Sequence, residues 1–192
     1  MKWIILSIVL CLGTYTFLTL HFRKQNPTYQ PYADMKNRAN TLRLLSAGYQ
    51  RVTIAVQRPA DPIVVRGGAA ITQLPGGLPA ELRTTLVEQP VLPGNYARVA
   101  AAGSTSALLP YPVEFNCSIG DNHHQLLGAQ LYLKEHSLVI VPEFETLDGQ
   151  LLARSRDTLL LLTLPGGTLK PGRYQVALIG SRSSPTWTLQ VN

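Results

Sequence analysis

Cys117, His123, His124 and His136 bring together the thiol and imidazole groups that bind zinc and related metals. The two adjacent histidines follow a Gly120-Asp121-Asn122 turn, with Cys117 six residues upstream and His136 twelve downstream of the pair. Neighbouring residues on a strand point to opposite faces, so His123 and His124 cannot easily reach one ion. Glu143 and Glu145 share a face and would add oxygen ligands. The expectation is histidines that face solvent, with no metal site and no cofactor. As a nucleophile Cys117 would have to act as thiolate, yet it falls at an inward position of an alternating strand. There it reads as a small buried hydrophobe. Glu143, Glu145 and Asp148 would be the carboxylates for glycoside hydrolysis, but the Asp148-Gly149 turn marks them as a solvated loop. G-x-S-x-G, G-x-G-x-x-G and G-K-[ST] are all absent. Asn116-Cys117-Ser118 is formally a glycosylation sequon, placed in mid-strand. Tyr111, Tyr132, Phe144 and Trp187 would suit a sugar- or peptide-binding face, although Trp187 alternates with Leu189 and Val191 as a core residue does. No catalytic, cofactor-binding or metal-binding residue is assigned.

The elements that carry these residues are mostly strands. Val52, Ile54 and Val56 alternate with Arg51, Thr53, Ala55 and Gln57 before Arg58-Pro59-Ala60-Asp61-Pro62 ends the run. Ile63-Val64-Val65 is a short run stopped by Gly67-Gly68. Val113, Phe115, Cys117 and Ile119 keep a period of two, and residues 130–134 and 138–141 flank the Glu135-His136-Ser137 turn. Thr158 to Leu164 is continuously apolar, as a fully buried strand should be. Tyr174-Val176-Leu178 and Trp187-Leu189-Val191 flank Ser181-Arg182-Ser183-Ser184-Pro185 and read as a hairpin. Fourteen prolines and fifteen glycines argue against a helical bundle.

Just before that hairpin stands Leu169-Lys170-Pro171-Gly172-Arg173-Tyr174. This L-x-P-G-x-Y stretch resembles the E–F corner of immunoglobulin-like and fibronectin-type-III-like sandwiches. The resemblance implies that the Tyr174 hydroxyl bonds back to nearby backbone. It also makes residues 158–164 strand E and residues 186–191 strand G. A second copy, Leu92-Pro93-Gly94-Asn95-Tyr96, lacks the residue between Leu and Pro, and the Ala100-Ala101-Ala102-Gly103 that follows fills a core poorly. A single sandwich over residues 110–192, elaborated by residues 49–109, is therefore expected. The motif marks a fold corner and implies no activity.

Trp3 to Leu20 is eighteen residues without a charge, about 27 Å as a helix against a hydrocarbon thickness of about 30 Å. No A-x-A-like cleavage site follows it, and Leu10 before Cys11 does not suit a lipoprotein signal. Residues 1–24 are read as an uncleaved anchor that meets lipid through residues 3–22. Residues 25–48 are a linker and a short helix, capped by Asp34 and ended at Gly48, with Met35, Ala39, Leu42 and Leu45 on the face that packs on the β domain or lies on the membrane, or, as the alternative, docks to a partner subunit. Residues 49–192 are the β domain. Of the net charge of +6, nearly all lies in residues 1–44, where six basic side chains face the single acid Asp34. The remainder is almost neutral, which argues against nucleic-acid binding. A charged fraction of 15%, against about 25% in ordinary domains, excludes a disordered polyelectrolyte. Two cysteines exclude a disulfide scaffold.

The sequence thus leads to an all-β, immunoglobulin-like sandwich behind one transmembrane helix. The expected role is non-enzymatic: an accessory or structural subunit that scaffolds a larger bacterial membrane complex through integral membrane partners. An envelope module for sugar, peptide or metal is the alternative. Arg23, Lys24, Lys36 and Arg38 after the span would hold the domain in the cytoplasm by the positive-inside rule. Long C-terminal domains translocate regardless of such flanks, and analogy with β-rich envelope proteins favours the periplasmic side of the inner membrane.

Overall fold

An uncharged apolar run satisfies its own backbone only as a helix, and α1 (Lys2–Gln25) is that helix in the computed structural model of the chain. The structure describes residues 2–25, 31–59, 61–62, 67–118, 123–147 and 157–192. They divide into two compact units, residues 1–39 and 40–192. Within α1, Lys2–His21 has a mean hydropathy of 2.0 and none of it is buried, so by length and composition it can cross a membrane. Its threonines suit an apolar medium. The hydroxyls of Thr14, Thr16 and Thr19 donate to the carbonyls of Leu10, Leu12 and Tyr15, four residues back.

A second helix, α2, spans Pro31–Ser46. It starts before the expected cap: Asp34 lies inside it, because Pro31 already has the φ that a first helical residue needs. Its end is as expected. Gly48 adopts φ 81°, and the amides of Gly48 and Tyr49 donate to the carbonyls of Leu45 and Leu44. The packing face differs from the expected one. Leu44 is buried at 1% exposure, whereas Leu42 and Leu45 stay 68% and 60% exposed. Leu44 and Leu45 are adjacent leucines about 100° apart on the helix, and the β domain takes the one that the apolar stripe omitted.

The rest of the described chain runs β1 (Gln50–Ile54), β2 (Val56–Gln57), β3 (Thr72–Pro75), α3 (Ala80–Thr85), β4 (Asn95–Ala101), β5 (Ser104–Thr105), β6 (Tyr111–Ser118), β7 (His124–Lys134), β8 (Ser137–Thr146), β9 (Asp157–Leu164), β10 (Gly172–Leu178) and β11 (Ser183–Val191). They form two sheets, consistent with a β-sandwich. The larger has the order β1-β7-β8-β10-β11-β3 with β5 also on β11, and the smaller has the order β2-β9-β6-β4. The expected runs at 158–164, 174–178 and 186–191 fall in β9, β10 and β11. The expected run at 63–65 and the 120–122 turn lie outside the described residues. Strands from residues 49–109 enter both sheets, so this stretch shares the sandwich's hydrogen bonding. Alternation from Val52 to Val56 holds, but the chain changes sheets at Ala55: Ile54 pairs with Ala129 and Val56 with Leu162. Two pairings are parallel, β8 with β10 and β5 with β11.

Apolar side chains fill the space between the sheets, among them Phe115, Cys117, Leu131, Ile140, Leu162, Val176, Trp187 and Leu189. A second cluster covers the other face of the larger sheet, where Leu44, Tyr49, Leu82 and Leu86 pack with Tyr132, Val139, Val141 and Ile179. Strand β8 explains both. Leu138 and Ile140 point into the first cluster, Val139 and Val141 into the second, so its apolar run is continuous rather than alternating.

The corner at Tyr174 forms as expected: its hydroxyl donates to the Lys170 carbonyl at 3.0 Å, with Leu169 buried beneath. Tyr174→Phe keeps the ring and removes that bond. It is expected to cost about 1 kcal/mol, read as a lower denaturation midpoint of the detergent-solubilised chain with an unchanged slope; an unchanged midpoint would mean that the bond contributes nothing net. The second copy of the motif serves another purpose. Tyr96 donates to the Ile179 carbonyl at 2.6 Å, and Pro93 and Gly94 carbonyls accept from Ser181 and Arg182. From the other side Gly76 and Gly77 amides donate to Arg182 and Gly180 carbonyls. The β10–β11 turn is thereby held between two glycine-containing loops.

Candidate functional site

The residues with metal-binding chemistry are spread apart. Cys117 is buried in β6, opposite Tyr96 and Thr158. His123 and His124 stand at the start of β7, and His136 is exposed in the turn after its end. The eleven residues of β7 separate the two histidine positions by roughly 30 Å at about 3.3 Å per residue. Among the described residues no three His, Cys, Asp or Glu side chains are placed to hold a metal ion. Glu143 is engaged by Gln130, whose Nε2 donates to its carboxylate at 2.6 Å. Asp148 lies outside the described residues.

The four aromatics do not make a common face. Trp187 and Tyr111 are buried together between the sheets: the indole Nε1–H donates to the Tyr111 oxygen at 2.9 Å, and that hydroxyl donates to the Ala102 carbonyl at 2.8 Å. Tyr132 is buried in the second cluster, and Phe144 is half-buried against the first. A depression lined by Ala107, Leu109, Tyr111, Leu164 and Val191 encloses about 10 Å³, room for one water at most.

Three features stand out among the described residues. The first is a polar patch on the outward face of the larger sheet. Arg51 Nε and Thr53 Oγ1 both donate to Gln130 Oε1, at 2.9 and 3.0 Å, and Gln130 passes the chain on to Glu143. Gln130 is buried, and its amide is oriented by three partners on the two strands that flank β7. The beginning of this patch was legible in the alternation of Arg51 and Thr53; Gln130 and Glu143 were not, because they meet only across β1, β7 and β8. The second is a clamp at the junction of α2 and β1. Lys134 pairs with Glu81 and lies over the Tyr49 ring, while the Tyr49 hydroxyl donates to Glu81 at 3.2 Å. Short helix α3, which the sequence reading missed, supplies Glu81 and buries Leu82. Its six residues are too few to show a helical period. The third is the outward face of α2, with Met35, Leu42 and Leu45 all at least 60% exposed.

The clamp and the cores have a pH signature. Burial, reinforced by the Glu81 carboxylate, pushes Tyr49 up to about 12. Burial pushes Tyr111 to about 12 as well, against the opposing hydrogen bond from Trp187. Tyr132 is raised by burial too. Folded values above the unfolded value of about 10 mean that this stability is complete below pH 10 and is lost as pH rises through 12. Denaturant unfolding at stepped pH is expected to show stability falling between pH 10 and 12, with a shallower fall for Tyr49→Phe. A flat profile over that window would contradict the burial of these phenols. Hydrogen bonding to Lys134 acts at the opposite end, lowering Glu81, so the clamp weakens as pH falls through the carboxylate range.

On the outer side of the smaller sheet Glu114 is fully buried, with Arg98 3.8 Å away. No protein-family model, curated protein or solved structure matches this chain. Its surfaces are an apolar helix long enough to span a membrane, an apolar face on α2 and a hydrogen-bonded polar patch.

Proposed function

We propose that the chain is a membrane-anchored, non-enzymatic accessory subunit whose β-sandwich braces a larger bacterial membrane complex. The observation that carries this reading is the pairing of two differently built parts. One is Lys2–His21, apolar and unburied; the other is a β-rich unit with two apolar clusters of its own. A helix of that composition needs lipid or apolar protein around it, while the β unit needs neither to close its core. Exposed Leu108 and Leu109, 84% and 61% accessible beside the Pro165-Gly166-Gly167 turn, offer a further apolar contact to a protein neighbour. We read the sandwich as immunoglobulin-like on the strength of the Tyr174 corner. The parallel pairing of β8 with β10 departs from the antiparallel sheets of that pattern. Our reading places the anchor in the inner membrane and the β unit in the periplasm, serving an energy-transducing, secretory or transport assembly.

The test is purification from native membranes in mild detergent, with mass spectrometry of what co-migrates. A stoichiometric set of integral membrane proteins is the expected result. Recovery of the chain alone and monodisperse would overturn the subunit reading. Protease protection in spheroplasts checks the side: cleavage of the β unit by added protease is expected, and its protection would place it in the cytoplasm.

A further inference from the structure

Helix α2 presents two faces with different surroundings. Leu44 is turned into the second cluster and Asn40 Oδ1 accepts from the Val87 amide, so this side belongs to the β unit. Met35, Leu42 and Leu45 lie on the other side: Leu42 follows Met35 by seven residues, two turns on, and Leu44 is rotated about 160° from Leu42. These three side chains are 60–68% exposed. Arg38 and Arg43 are exposed beside them, and no acidic residue occurs from Met35 to Gly48. Only residues 26–30 separate α2 from α1. Fully extended, that link spans about 20 Å, so the start of α2 cannot leave the neighbourhood of the point where α1 would exit the bilayer. Apolar side chains flanked by arginine, tethered that close to lipid, fit an interfacial helix: the leucines enter the acyl boundary and the guanidinium groups meet anionic headgroups.

We infer that the Met35-Leu42-Leu45 face of α2 lies on an anionic lipid surface, so that the helix is held between the bilayer on one side and the larger sheet on the other. This rests on the anchor reading above. It adds a second, shallower lipid contact to that of the anchor.

Bimane probes in vesicles of phosphatidylcholine and phosphatidylglycerol with brominated acyl chains test it on the full chain. The parent is Cys11→Ser, in which buried Cys117 remains out of reach of the label. Probes go at Leu42→Cys and separately at Leu45→Cys, so that one site remains if the other perturbs folding. Leu10→Cys marks the anchor, and Asn95→Cys on the smaller sheet marks the far side. Lipid quenching at 42 and 45 several-fold above that at 95, reduced by Arg38→Gln with Arg43→Gln, is the expected result. Quenching at 10 with none above background at 42 and 45 would overturn the inference and leave the anchor standing. Shielding from aqueous iodide at 42 and 45 without lipid quenching would overturn it in favour of a protein neighbour. Absence of quenching at 10 would remove the anchor itself, and the inference with it.

Discussion

Trp187→Ala is expected to destabilise the β unit by about 3–5 kcal/mol, the range for deleting a buried indole from a close-packed core. Trp187 is 2% exposed and touches both sheets' apolar filling. The loss goes beyond volume. Its Nε1–H donates to Tyr111, whose own hydroxyl reaches the Ala102 carbonyl, so alanine leaves a cavity and a phenol oxygen with one bond fewer. Against a total stability of about 5–15 kcal/mol this brings the unit close to unfolding at ambient temperature. Denaturant titration followed by near-ultraviolet dichroism measures it. Trp187→Phe refills most of the space and is expected to lose less than half as much. A cost below about 1 kcal/mol for the alanine variant would mean that Trp187 is not a core residue.

Gly180→Ala is expected to cost about 3 kcal/mol, the upper end for forcing extra volume into packed structure. A Cβ there would stand 2.4 Å from the Ser183 carbonyl oxygen and 3.0 Å from the Tyr96 ring. The first obstacle is backbone and cannot swing aside. The turn would have to open, and with it the bonds from Gly77 to Gly180 and from Tyr96 to Ile179. Gly94→Ala makes the contrast, because its nearest neighbour would be the Ser118 oxygen at 3.8 Å. That variant is expected to fold with wild-type stability, while Gly180→Ala shows a lowered midpoint and faster unfolding. Equal stabilities would show that the turn is not clasped as described.

The features legible in the sequence were those whose causes are local. The Tyr174 bond spans four residues, so the corner could be read from L-x-P-G-x-Y alone. The apolar run of α1 needs no partner to be recognised. Tyr96 has a similar local signature, short of the residue between Leu92 and Pro93; that gap sets the copy apart, but its acceptor lies 83 residues away and nothing local points to it. Alternation around Val52–Val56 told which residues turn inward without telling that Ala55 divides two sheets. Which side of α2 packs on the β domain was not legible, because exposure of Leu42 and burial of Leu44 depend on where α3 and the larger sheet lie. Among the aromatics, Trp187 lies in the core as its alternation with Leu189 and Val191 indicates, and Tyr111 lies there with it rather than on a binding face, while Gln130, which orients the polar patch, carries no signal as an isolated amide.

The pairing order carries a kinetic consequence. β1 pairs with β7, β2 with β9, β4 with β6, and both β3 and β5 with β11. Each named strand before Tyr111 thus finds its ladder partner only from Tyr111 onward, across a short connection for β4 and, for the others, at separations that slow loop closure. During synthesis the first half emerges with its strand edges open and waits for the second. A nascent chain in that condition is exposed to misassociation until the later strands arrive.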